Sequence, residues 1–199
     1  MRVTGLVLAG GYSRRMGTDK SALLLPDGRT LLARQVALLR QAGVDEVLVA
    51  RRRDQPAAAP HARTVFDIVH DHGPLAGIAA GLRSVREGVL FALAVDMPYL
   101  TTDTLRHMIS LASTGRGVVP HRGGTIECLI GIYPCDLATL AASRVAAGQL
   151  RVREFAALAE QSGRAMHWEI PDRLTAEFGN WNKPEDVRYV GQVSDLPQV

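Results

Sequence analysis

The sequence predicts an α/β fold: one domain built on a mostly parallel sheet with helices on both faces. Three observations carry this. The runs from Val3 to Leu8 and from Val89 to Val95 are apolar nearly throughout, as suits strands covered on both sides rather than on one. Amphipathic helical patterns alternate with these and with shorter apolar runs, the order that builds right-handed βαβ units. At 199 residues and 47% hydrophobic content, the chain can bury a sizeable core and lies within the length range of a single domain.

The first strand, Val3 to Leu8, runs into the turn Ala9-Gly10-Gly11. Thr30 then suits the N-cap of a helix carrying Leu31, Leu32, Val36 and Leu39, closed by Gly43. Val47 to Ala50 reads as a second buried strand and Thr64 to Phe66 as a short third. Ile78, Leu82 and Val85 mark the next amphipathic helix. The Val89 to Val95 strand stops at Asp96-Met97-Pro98, where the proline ends pairing and leaves Asp96 at a strand's carboxyl end. Leu105, Met108, Ile109 and Ala112 mark a further helix, with strands expected at Gly117 to Val119 and Leu129 to Tyr133. Two alanine-rich helices, near Leu137 to Ala146 and Val152 to Ala159, precede a strand around Met166 to Ile170. Asn182-Lys183-Pro184-Glu185-Asp186 suits a helix start, with the proline in the first turn and two carboxylates favoured by the helix dipole. Residues 1–190 are read as the single domain, and residues 191–199, which lack periodicity, as a mobile tail.

Composition narrows the function. The formal net charge is only +3 and aromatic residues make up 5% of the chain, so stacking surfaces for nucleic acid are scarce and a small anionic ligand fits better than a duplex. Arg51-Arg52-Arg53 reads as a solvated loop after a strand, with phosphate contact as the alternative. Cys128 and Cys135 form neither a disulfide framework nor a CxxC pair, so a reducing, cytoplasmic setting is expected. Neither a cleavable targeting segment nor a stretch long enough to span a bilayer is expected. His70-Asp71-His72 reads as a loop, because three adjacent residues rarely converge on one ion.

The most informative segment is Leu8-Ala9-Gly10-Gly11-Tyr12-Ser13-Arg14-Arg15-Met16-Gly17, followed by Asp19-Lys20. Glycines directly after a buried strand let backbone N–H groups approach a ligand closely and form an anion-binding concavity. Arg14, Arg15 and Lys20 add fixed positive charge at the same end of the sheet, and together these residues describe a phosphate cradle. The pattern is neither GxxxxGK[ST] nor GxGxxG, so kinase-like and dinucleotide-binding readings lose ground. The bland reading is a glycine turn whose arginines face water.

These residues resemble the signature of the MobA-like nucleotidyltransferases. Further matches fall at Asp67, Gly73-Pro74-Leu75-Ala76-Gly77, Asp96-Met97-Pro98 and Asn180-Trp181-Asn182-Lys183-Pro184-Glu185, in the family's order over nearly the whole chain, the last of them pointing to the molybdenum branch. The resemblance implies a Rossmann-like sheet of the nucleotide-diphospho-sugar transferase type. It implies that Leu8, Ala9, Gly10, Gly11, Lys20 and Asp67 bind the nucleotide, and that Asp96 does so through a Mg²⁺ ion that it holds. Lys20, Arg15 and Asp96 would then be catalytic, and Asn180 and Asn182 would meet the acceptor. The implied reaction transfers GMP from GTP to the terminal phosphate of molybdopterin, with transient docking to cofactor-biosynthesis proteins or apo-molybdoenzymes. An acceptor phosphate is anionic at neutral pH and needs no dedicated base, which agrees with the lack of a Ser/His/Asp or Cys/His constellation.

Two departures stand out. Ala50 occupies the end of the second strand, where the family often has asparagine, and Cys128 stands where it usually has proline. Guanine preference therefore rests on likeness. The alternatives are a CTP-dependent enzyme forming the cytosine cofactor, a sugar-phosphate nucleotidyltransferase, and a non-catalytic carrier of nucleotide or cofactor.

Overall fold

The computed structural model describes residues 1–10, 19–53, 55, 61–66 and 73–181. Strands β1 (Val3–Leu8), β2 (Glu46–Arg51), β3 (Arg63–Phe66) and β4 (Val89–Ala94) alternate with helices α1 (Leu31–Gln41) and α2 (Gly73–Ser84). Then follow α3 (Thr102–Leu111), β5 (Gly117–Arg122), β6 (Thr125–Ile126), β7 (Ile130–Pro134), α4 (Ala138–Ala146), α5 (Val152–Gln161) and β8 (Ala165–Glu169). The eight-stranded sheet has the order β3-β2-β1-β4-β7-β5-β6, with β8 paired to β5.

The sheet is mixed and mostly parallel: β1 with β2, β1 with β4, β2 with β3 and β5 with β8 run parallel, while β7 runs antiparallel to both β4 and β5, as does β6 to β5. The reversal has a simple cause. The chain between β5 and β7 is a tight hairpin turning at Gly123 and Gly124, both at positive φ, and it is too short for the crossover that a parallel return demands.

Two apolar layers cover the sheet. On one side, Leu31, Leu38 and Leu39 of α1 and Leu105 and Met108 of α3 meet Val7, Val49, Phe91 and Leu93. On the other, Leu75, Ile78 and Leu82 of α2, Ala141 of α4 and Phe155 of α5 meet Leu6, Leu48, Leu90 and Val119. Each fully buried leucine contributes about 2 kcal/mol, so this burial holds the helices in place more than their intrinsic propensity does. Thr30 caps α1 by accepting from the Ala33 N–H, as expected. Gly81 lets α2 settle closely: a Cβ there would lie 2.7 Å from a Leu6 methyl and 3.0 Å from one of Leu90.

The chain steps outward from β1 through β2 to β3, then returns to place β4 on the other flank of β1. That reversal opens a crevice at the carboxyl ends of β1 and β4, where ligands of open α/β sheets bind. No helix among the described residues is long and apolar enough to cross a membrane. The expected helix start at Asn182 to Asp186 and the 191–199 tail lie outside the described residues, as does the His70-Asp71-His72 loop.

Candidate active site

Parallel pairing in register sets Leu8 beside Ala50 on one side and beside Ala94 on the other, so three strands end together. The crevice there is lined by Leu8, Ala9, Gly10, Asp19, Lys20 and Ala50, by Gly73, Pro74 and Gly77 at the start of α2, and by Ala94, Val95, Asp96 and Leu129. The glycine turn, the Gly73-Pro74 helix start and the acidic residue closing β4 thus share one cleft. A helix N-terminus at its wall favours an anion.

Lys20 and Asp96 face each other directly. Lys20 sits in a single 3₁₀ turn, Lys20–Ala22, whose N-cap Asp19 accepts from the Ser21 N–H. Its Nζ donates to Asp96 Oδ2 at 2.7 Å and to the Trp181 carbonyl at 2.6 Å. Both paired side chains keep 15% of their exposure, so the pair is sheltered yet open to the cleft. The backbone of Trp181 reaches back to the same place, its N–H donating to the Asp96 carbonyl at 2.9 Å. Trp181 is itself anchored: its ring is 1% exposed and its Nε1 donates to the Tyr99 hydroxyl.

Neighbouring Asn180 has a buried Oδ1 with no hydrogen-bond partner among the described residues. Burying a carbonyl oxygen unpaired costs about 1–3 kcal/mol, so a donor arriving there would be well received.

The loop that carries Asp96 is held from below by α1. Gln35, fully buried, donates from Nε2 to the carbonyls of Met97 at 2.8 Å and Val95 at 3.4 Å, one on each side of Asp96. Arg34 donates to the Leu100 carbonyl at 2.9 Å, and burial pushes its guanidinium down to about 10. Neither residue was singled out from the sequence. Their trace there is a polar pair set into a helix whose neighbouring positions are leucines, where a buried polar group must have a partner to serve.

The arginine run corrects the sequence expectation. Arg51 is the last residue of β2, only 3% exposed, and donates from Nη2 to Ser21 Oγ at 3.1 Å, with Asp19 3.8 Å from Nη1. Arg52 donates to the Gly10 carbonyl at 3.0 Å, and Gln55 donates to the Ala9 carbonyl and to Asp19. Only Arg53 is exposed, lying over the Phe66 ring. The strand continues one residue past Ala50 and buries the first arginine, so the run braces the turn after β1 and is not a solvated loop. One further adjustment concerns the turn's donors: the Ala9 N–H is already given to the Ala50 carbonyl, which removes it from any phosphate cradle.

Leu8, Ala9, Gly10, Lys20 and Asp96 therefore meet in one cleft, with Asn180 adjoining through Trp181. Gly11, Arg15, Asp67 and Asn182 lie outside the described residues. Cys128 and Cys135 are free thiols.

Comparisons with known proteins bear on the family and the fold. The sequence profile of the MobA-like NTP transferase domain matches residues 5–165. The chain is 37% identical over 191 residues to a molybdenum cofactor guanylyltransferase of Cereibacter sphaeroides, covering 94% of each chain. Among solved structures it superposes on a nucleotidyl transferase from Methanothermobacter with a TM-score of 0.75 at 20% identity, covering 96% of this chain and 98% of the other. It also superposes on molybdopterin-guanine dinucleotide biosynthesis protein A from Archaeoglobus fulgidus with a TM-score of 0.71 at 21% identity, covering 96% and 97%.

Proposed function

The chain belongs to the MobA-like NTP transferase family of nucleotidyltransferases, and from that premise we propose that it transfers GMP from GTP to the terminal phosphate of molybdopterin. An oxygen of the acceptor phosphate attacks the α-phosphorus, the bond from that phosphorus to the bridging α–β oxygen breaks, and pyrophosphate leaves. The product is the guanine dinucleotide form of the cofactor. The observation that carries the reading is the 2.7 Å contact between Lys20 and Asp96 in the cleft between β1 and β4.

On this reading Lys20 exchanges Asp96 for the triphosphate and neutralises charge that builds on the leaving group. Asp96, a hard oxygen donor at the mouth of the cleft, fits a Mg²⁺ ion held by one carboxylate and substrate phosphates; when bound, that ion supplies further neutralisation of the phosphate oxygens. The backbone of Leu8, Ala9 and Gly10 and the start of α2 line the nucleotide, and Gln35 fixes the loop that presents Asp96. Gly11, Arg15 and Asp67 join the nucleotide side by family likeness. Asn180 takes the acceptor, its unpaired Oδ1 suiting an N–H donor such as those of a pterin, with Asn182 beside it in sequence. Positioning of two anionic phosphates in one sheltered place then accounts for the acceleration.

Free thiols at Cys128 and Cys135 accord with a cytoplasmic enzyme, and delivery of product by transient docking to cofactor-biosynthesis proteins or apo-molybdoenzymes is the corollary drawn from the family. Ala50 lines the cleft, and its methyl group reads no base edge, so the CTP-dependent reading stays the alternative to be tested. Pyrophosphate release measured with GTP, CTP and ATP against molybdopterin and a sugar phosphate separates these. Turnover with GTP and molybdopterin is expected; turnover with CTP alone transfers the chain to the cytidylyl branch, and binding without turnover makes it a carrier.

A further inference from the structure

Toward the far end of the sheet from β3, three side chains from three elements, none of them lining the Asp96 cleft, converge. His121 ends β5, His167 lies on β8, and Glu160 reaches across from α5. The parallel register pairs His121 with Glu169 and Val119 with His167, which sets the two histidines on the same face of adjacent strands. Their rings stack with centroids 3.8 Å apart. His121 Nε2 is 2.8 Å from Glu160 Oε1, and His167 Nδ1 is 4.0 Å from that same oxygen.

We propose that His121, Glu160 and His167 form a second cation site, for a divalent transition metal of the zinc class. One ligand atom from each residue lies within 4.8 Å of the others; donors that share a tetrahedral ion at about 2.1 Å are about 3.4 Å apart, so binding draws the half-exposed His167 inward. One of the two histidines has the outer support that such sites use. His167 turns its other nitrogen, Nε2, to Glu169 Oε2 at 3.3 Å, and Glu169 is fixed in turn by the Gly123 N–H at 2.7 Å. A carboxylate on the outer nitrogen is the usual support of a metal-bound histidine, setting its tautomer and raising its basicity.

His121 is only 7% exposed and its Nδ1 has no partner among the described residues, so Nε2 carries its polar contact with Glu160. An ion there strengthens that one contact. Two nitrogens and one carboxylate suit zinc, nickel or cobalt and disfavour magnesium, which separates this site chemically from Asp96. His167 keeps 53% of its side-chain exposure, giving an ion a way in and leaving room for a water as fourth ligand. His121 and Glu160 lie within residues 5–165, whereas His167 and its supporting Glu169 lie just beyond them.

The test uses untagged full-length protein stripped with a chelator and titrated with Co²⁺ and with Zn²⁺. Wild type and Asp96→Ala should each bind a single equivalent of Co²⁺ with visible d–d absorption, and Zn²⁺ should raise the Tm of both. His167→Gln, a change at a half-exposed side chain, should weaken Zn²⁺ binding at least ~100-fold, and Glu169→Gln about 10-fold. The proposal is overturned if Zn²⁺ leaves the wild-type Tm unchanged, or if His167→Gln binds Co²⁺ with unaltered affinity and spectrum. His121 and Glu160 would then be a structural ion pair and nothing more.

Discussion

The two halves of the sheet solve different problems. From β3 to β4 all strands run parallel, and they end together at a cleft whose polar business is done largely by main chain and by side chains gripping main chain: Lys20 on the Trp181 carbonyl, Gln35 on those of Val95 and Met97, Arg52 on that of Gly10. From β7 to β8 the strands reverse and return, and the polar contacts are between side chains, as in His121, Glu160 and His167. On the two proposals made above, a site for a large polyanion is built by stiffening backbone around a concavity, and a cluster suited to a bare ion by bringing side chains together at a point.

Four substitutions break or sharpen that contrast. Asp96→Ala should lower kcat about 10³-fold while the melting temperature stays near wild type, because the side chain works in the cleft and not in the core; undiminished turnover would remove Asp96 from the chemistry. Gly117→Ala attacks the other half. A Cβ there would lie 1.8 Å from the Ile132 carbonyl oxygen where β5 meets β7, so unfolding titration should find a loss of about 3 kcal/mol, with activity per folded molecule preserved.

Gln35→Leu falls between them. It strips two carbonyls of their donor, which should cost about 1–2 kcal/mol of stability and lower kcat about tenfold without changing nucleotide KM. A parallel loss of nucleotide affinity would show instead that the whole cleft had collapsed. Asp27→Asn should do least, about 0.5 kcal/mol or less, since the pair is exposed. The hydrogen bond from the Arg29 side chain holds the Asp27 carboxyl below its ordinary 3.8. Its small contribution is therefore present above that value and fades as pH falls through the lowered one, a trend that acid titration of the variant should lack.

The sequence disclosed the parallel half far better than the mixed one, for physical reasons. A strand buried on both faces must be apolar throughout, so β1 and β4 stand out, and an abrupt end such as Asp96-Met97-Pro98 locates a carboxyl terminus without further help. That rule sets Asp96 at the same end of the sheet as Lys20, while their roles came from the family resemblance. The reversal at β7 was missed because strand direction depends on the length of a connection, and β6 is only two residues long. Arg51 was misjudged because burial at a strand's last residue is decided by what lies beneath it, here Ser21 and Asp19. His121 and His167 are far apart in the chain, and only the β5–β8 register brings them together. Asn180 was legible as a residue of interest, whereas its unpaired oxygen required coordinates.

The hydrogen bond from Lys20 to the Trp181 carbonyl joins residues separated by 161 positions. Closing so long a loop is entropically slow and awaits nearly all of the intervening structure. During synthesis, therefore, the glycine turn leaves the ribosome early but stays incompetent until residue 181 has emerged and docked. On the proposed function, a ribosome-bound chain stopped short of that tryptophan should fold much of its sheet and still fail to retain nucleotide, so that ligand capture reports the arrival of Trp181.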